Sequence, residues 1–407
     1  MFAVDRLMQT ESSQPEKTRI GSIDAYRGLV MLLMMAEALR LCTVSTARPA
    51  SAFWKLLCQQ QTHAEWVGCS LHDLIMPGFC LLVGAALPLS IASRRSRGQG
   101  FAAMTGHAAF RSIILIFLGL AIQAADWRQW RWMFADDALT QIGLGYTFVF
   151  LLSFRPVRDW WIALGVILIG YWTWFAVYPL PGPAFDYCGA GVGRDWLAQN
   201  GLNGFAAHWQ KNSNPAWAFD LWFLNLLPQA PHYIGQPKGL TTLNFIPTMG
   251  TMILGMLASD VLRGLRPPWG KVRWLVLTGA AMLGGGWMLG AAGICPVVKS
   301  IWTPSWVLFS GGWCYLFLAA FYALVDIGGH HRIVYPLIVI GANSIFAYCL
   351  AHVIPHYAFN CLRRIFGSAI FRVFGDAYEP AVYGAGLLLV YWLLLFILYR
   401  RKIFVRI

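Results

Sequence analysis

Blocks of about 20 apolar residues recur along the whole chain, and each is long enough to cross the hydrocarbon core of a bilayer as a helix. They fall at roughly 29–47, 70–92, 108–124, 138–154, 159–178, 241–260, 274–293, 305–325, 334–354 and 381–399. Lipid offers no partner to a free backbone N–H or C=O, so such blocks cross it as helices. The expected fold is all-α: a polytopic integral membrane bundle of about ten helices, forming one domain over 1–407. Composition agrees. The chain is 58% hydrophobic and 12% charged, against roughly 25% charged in soluble proteins, so the lipid bilayer is its main partner.

The net charge of +13 does not indicate nucleic acid, because the bases are dispersed between apolar blocks instead of gathered on one face. They serve orientation. Most of the 31 bases fall on one side of the bundle if both termini are cytoplasmic. That side holds Lys17, Arg19 and Arg27, then Arg94, Arg95 and Arg97, then Arg155, Arg158, Arg263, Arg266, Lys271, Arg273, Arg332, Arg400, Arg401 and Lys402. The segment Gln61-Thr62-His63-Ala64-Glu65-Trp66 and the stretch 179–240 then lie outside as loops. Trp196, Trp209, Trp217 and Trp222 in the longer loop suit either sugar rings or the membrane interface. The nine cysteines form no CxxC pair, and an external disulfide among Cys58, Cys188, Cys295 and Cys361 stays open.

Ionisable groups inside or beside a span need a partner or a function. Asp24 and Arg27 share a helical face, as a structural ion pair or as part of a site. Glu37 falls about 15 Å beyond Arg27, near the expected midplane. It is either protonated and hydrogen-bonded or functional. His72 and Asp73 open the second span, and Pro77 is expected to kink it. Asp73 either binds backbone at that helix start or acts in a site. His63, just outside the span, can accept and return protons near neutrality. A proton- or ion-coupled transporter using Glu37 and Asp73 is one reading of this set. A structural scaffold for a glycan-processing partner is another.

Several motifs carry a resemblance. The run Arg19-Ile20-Gly21-Ser22-Ile23-Asp24-Ala25-Tyr26-Arg27-Gly28 resembles the RxxSxDxxRG start of the heparan-α-glucosaminide N-acetyltransferase family. His63, Trp66 and Gly68, followed by Asp73-Leu74-Ile75-Met76-Pro77-Gly78-Phe79, Gly84 and Ser90, are similar to its HxxWxG…DLIxPxF signature. Leu139-Thr140-Gln141 to Tyr146, Lys299 to Ser305 and Gly341-Ala342-Asn343-Ser344 resemble later family segments. Two departures stand out: Glu37 and Ala38 replace a family Asn, and Leu139-Thr140-Gln141 replaces an LQR triplet.

The resemblance implies a membrane enzyme, bacterial and of the inner membrane, that takes acetyl-CoA as co-substrate from the cytosol. The acceptor would be a sugar or glycan amine on the far side. His63 would be the active histidine, as general base or as transient acyl carrier. Asp73 or Glu65 would orient its ring, and Trp66 and Glu37 would meet the acceptor. Arg27, Arg94, Arg95 and Asn343 would hold the donor, with Asn343 polarising a carbonyl. The pantetheine arm would thread between the first two helices. Whether the product is an amide or an ester stays open, and so does assembly, with a homodimer as one arrangement.

Overall fold

A computed structural model of the chain describes residues 20–127, 132–228 and 231–405; Arg6, Lys17, Arg19 and Arg406 lie outside the described residues. The helices are α1 (Gly21–Met35), α2 (Leu41–Ala47), α3 (Ala52–Gln61), α4 (Ile75–Arg95), α5 (Phe101–Trp127), α6 (Ala138–Leu152), α7 (Val157–Val177), α8 (Arg194–Asn200) and α9 (Pro215–Phe223). They continue as α10 (Phe245–Arg263), α11 (Pro268–Ala291), α12 (Pro304–Phe321), α13 (Tyr335–Ala342), α14 (Ser344–Val353), α15 (Pro355–Phe366) and α16 (Glu379–Arg400). The only extended pairing among the described residues is one bridge between Val67 and Val298.

The chain is an all-α integral membrane protein. Among the described residues seven helices are long and apolar enough to cross a bilayer, or nine if two bent pairs each count as one span. The expected ten is therefore too many by this measure. The difference is α6, whose 15 residues rise only about 22 Å. The first bent pair breaks at Arg40, whose φ of 47° is left-handed, and the chain turns by 40° into α2. The block expected at 334–354 bends by 82° between α13 and α14, with Asn343 at the joint. Pro77 does not kink its span. It lies in the first turn of α4, where its missing N–H breaks no helical bond.

Helix α10 is the most enclosed of the spans and packs chiefly on α4. Helices α1 and α4 close on each other at Gly78, where a Cβ would press on Val30 and the Tyr26 hydroxyl. At that level no arm can pass between them. The described residues of the stretch 179–240 are folded, carrying α8, α9 and buried Trp209, Asn212, Asn214 and Asp220. With Trp66, Tyr171, Phe175, Cys295, Val298 and Ile301 it builds a second apolar core at one end of the bundle. The disulfide joins Cys58 to Cys42, a partner not among those considered, because α2 and α3 fold back as a hairpin.

Candidate active site

The site begins with a reciprocal pair at the start of the second span. The Ser70 Oγ accepts from the Asp73 amide at 3.3 Å, and Asp73 Oδ2 accepts from the Ser70 amide at 3.0 Å. This is the hydrogen-bond exchange of a capping box, with Asp in the place of Glu. Oδ2 also accepts from the Ser70 hydroxyl at 3.1 Å and from the Ala64 amide at 3.1 Å. One oxygen of the carboxylate is thus tied to its own chain, and the other is aimed elsewhere. The Asp73 side chain is only 1% exposed.

Asp73 Oδ1 meets His63 Nδ1 at 2.7 Å. An ionised carboxylate can only accept, so the shared proton belongs to Nδ1 and the lone pair rests on Nε2. Lys299 Nζ lies 3.0 Å from Asp73 Oδ1 and 3.0 Å from His63 Nδ1. Partial burial, reinforced by Lys299 and His72, holds the His63 imidazolium below the ordinary histidine range although Asp73 opposes this. Burial likewise pushes the Lys299 ammonium down while Asp73 holds it up. A second pair sits alongside: the His72 ring centroid is 4.6 Å from that of His63, and His72 Nε2 contacts Glu37 Oε1 at 2.9 Å.

The surrounding motif residues explain how His63 is held. Trp66 is buried, donates from its indole to the Trp209 carbonyl at 3.2 Å, and stands edge-on to Trp196. Gly68 has φ +128°, which a side chain would strain, and its amide donates to the Val297 carbonyl at 3.0 Å. The bridge from Val67 to Val298 then delivers Lys299 to the His63–Asp73 pair.

The structure places the other expected residues as follows. Glu65 accepts from the Trp196 indole at 3.3 Å and is not the carboxylate on His63. Trp66 is enclosed, so Trp196 is the indole nearer the surface in that cluster. Glu37 is not in a dry midplane: its side chain is 60% exposed, at the His63 end of the bundle. Arg27 pairs with Asp24 at 3.1 Å. Arg94 donates to Gln99, and Arg95 covers the Phe154 ring. Asn343 donates to the Ile403 carbonyl and accepts from the Val405 amide, so it ties down the C-terminal tail. Its neighbour Gly341 abuts the Asp24 backbone, the end of α1 away from His63. That position does not suit polarising a carbonyl at His63. Lys299 was read from sequence only as the first residue of a segment resembling the family and not as a site residue, and the pairing of His72 was not singled out. The signal for Lys299 was a lone lysine between two apolar blocks, in Cys295-Pro296-Val297-Val298-Lys299.

Comparison with family models gave no match. Among curated proteins, the chain is 23% identical to heparan-alpha-glucosaminide N-acetyltransferase of Homo sapiens over 418 residues, covering 87% of this chain and 58% of that protein. It is 22% identical to the protein of the same name from Mus musculus over 385 residues, covering 86% of this chain and 56% of that one. The chain thus spans somewhat more than half the length of these curated relatives. Similarity of this extent, spread over most of this chain, agrees with the motifs.

Proposed function

We propose that this chain is a membrane-embedded N-acetyltransferase that moves an acetyl group from acetyl-CoA to the amine of an amino sugar or glycan. The observation that carries this is the His63 imidazole fixed by buried Asp73, with its Nε2 lone pair free to act. An ammonium is not a nucleophile, so the acceptor must shed a proton as it attacks the thioester. His63 takes it as general base, a contribution typically of about 10²- to 10⁴-fold. The same nitrogen is the atom that would carry the acyl group in a two-step variant.

The His63 end is the outer face in this reading, and the cell membrane is the bacterial inner one. A disulfide between Cys42 and Cys58 beside the site supports an oxidising side. The donor's nucleotide docks at the opposite end. Arg27 stands ten residues before Glu37, about 15 Å along the helix, and is the base we assign to the phosphates. Arg94 and Arg95 lie at the far end of a 24-residue span, roughly 35 Å from His72, and act as attraction at the mouth. Because α1 and α4 are closed at Gly78, the pantetheine arm reaches His63 along another face of α1. The transporter reading loses ground, since Glu37 and Asp73 sit at one end of the bundle and do not form a relay across it.

The test is purified protein with labelled acetyl-CoA and an amino sugar. Transfer should require the amine and vanish in His63→Ala, while membrane insertion is unchanged. Full activity in that variant would remove the mechanism.

A further inference from the structure

Outside the His63 site, three buried polar atoms without partners gather at the turn that follows the 179–240 stretch. Asp220 of α9 is 1% exposed, Gln141 of α6 is 0% exposed and Thr242 is 5% exposed. The Thr242 amide donates to Asp220 Oδ2 at 2.9 Å, and its carbonyl accepts from Gln141 Nε2 at 3.3 Å. Gln141 Nε2 also donates to the Phe134 carbonyl at 2.8 Å. Two carbonyls on one nitrogen fix the orientation of the amide, so its other atom, Oε1, is an acceptor. That Oε1, Asp220 Oδ1 and the Thr242 hydroxyl have no hydrogen-bond partner. The hydroxyl bears on the Asp220 carboxyl but lacks the alignment of a hydrogen bond. The unused carboxyl and amide oxygens each share a carbon with the atom that grips Thr242, so all three atoms meet at this one residue.

Charge decides what such a group can hold. A buried carboxylate is costly unless a positive charge pairs with it. Among the described residues Asp220 forms no ion pair. Half-buried Asp136 adds a second negative charge that bears on it. Asp136 itself accepts from Gln236 Nε2 at 2.7 Å, and Lys238 bears on it from an exposed position. A water could donate to two of the orphaned oxygens, but it brings no charge. Oxygen donors suit a hard cation. Among the described residues no three His, Cys, Asp or Glu side chains come together to hold a metal ion. The set is instead one carboxylate with neutral oxygens, which balances a single positive charge.

We infer that Asp220 Oδ1, Gln141 Oε1 and Thr242 Oγ1 bind an alkali-metal ion. The ion braces the turn from Thr241 to Asn244. There the Thr241 hydroxyl donates to Asn244 Oδ1, and Asn244 Nδ2 donates to the Ser300 carbonyl, both at 2.6 Å. Ser300 follows Lys299, whose ammonium stands 3.0 Å from His63 Nδ1, so the ion steadies the support of that lysine. The inference is independent of the acetyl-transfer reading.

The experiment is a melting curve of the purified full chain in sodium, potassium or calcium chloride, against N-methylglucamine chloride at equal ionic strength. Sodium or potassium should raise Tm as its concentration rises. At one hundred times Kd the ratio of folded to unfolded chain grows about 100-fold. Asp220→Asn should abolish the rise. Thr242→Val keeps both backbone contacts and should move the rise to at least about 10-fold higher concentration. No rise with either ion, a rise with calcium alone, or a rise that survives in Asp220→Asn overturns the site. If Asp220→Asn does not fold, Thr242→Val decides in its place, and a response like that of the wild type overturns the site.

Discussion

Replacing Asp73 by Asn tests whether the carboxylate sets the His63 tautomer or merely neutralises Lys299. The Asn carbonyl can take over the Oδ2 position and still accept from the Ala64 and Ser70 amides. Its NH2 group then faces His63 Nδ1 and Lys299 Nζ, where Oδ1 had accepted from both. A donor opposite Nδ1 drives the ring proton to Nε2, the atom that must carry the lone pair. The same exchange in a Ser-His-Asp triad lowers kcat by about 10⁴-fold, equivalent to about 5.5 kcal/mol in the barrier. A second effect is independent of catalysis. Lys299 is 17% exposed and loses its carboxylate partner, and an unpaired buried charge of this kind destabilises by roughly 3–5 kcal/mol. The double variant Asp73→Asn with Lys299→Met removes that charge. It should regain most of the thermal stability and none of the rate. Labelled acetyl transfer, measured beside a melting curve on each variant, separates the two effects. A single variant with more than about a tenth of wild-type kcat would refute the tautomer argument, as would a double variant that recovers activity along with stability.

Three further outcomes follow from the same geometry. His63 must be neutral to accept a proton, and burial with Lys299 nearby holds its imidazolium low, so the acid limb of kcat/KM should fall below the ordinary histidine value of about 6.5. Lys299→Met removes a like charge and should move that limb to higher pH; a limb that stays in place shows that Lys299 does not act on His63. Reducing the Cys42–Cys58 bond frees a 16-residue loop and should lower stability by about 3 kcal/mol, read as a lower Tm. It should also slow transfer, because Gln60 and Gln61 at the end of that hairpin hold the Leu71 amide and the Ala36 carbonyl, next to His72 and Glu37. Arg27→Gln should raise KM for acetyl-CoA with little change in kcat, whereas a fall in kcat alone would place Arg27 outside the donor site.

The scaffold was legible in sequence because lipid demands long uninterrupted apolar blocks, and these read directly as helices. The breaks were harder. Arg40 interrupts its apolar run without Pro or Gly, and nothing local announces its left-handed conformation; the segment Gly341-Ala342-Asn343-Ser344 was noted, but not its sharp bend tied to the distant C-terminal tail. His63 stood out through its HxxWxG spacing, and Asp73 through its position ten residues on. Lys299 did not, because it comes from more than two hundred residues away and its approach depends on the Val67–Val298 bridge. Glu37 was misplaced for a definite reason. The block was read as one span running to 47, but the chain breaks at Arg40 and turns into α2, so Glu37 stands near the end of the straight part and not at its middle.

The location of the site also decides what substitutions there can report. His63, Asp73, Lys299, His72 and Glu37 all stand at the end of spans or in the loops between them, drawn from three separate parts of the chain. Insertion free energy is carried by the apolar middles of α4, α5, α10, α12 and α16, which hold none of these groups. A change at the site therefore leaves the hydrophobic content of every span almost intact. Its effects fall on local hydrogen bonds and charge balance, which is why a loss of transfer in His63→Ala can be read as chemistry when the variant still reaches the membrane. The same does not hold for Tyr26 or Gly78, where a substitution would disturb the contact between α1 and α4 and so confound activity with packing.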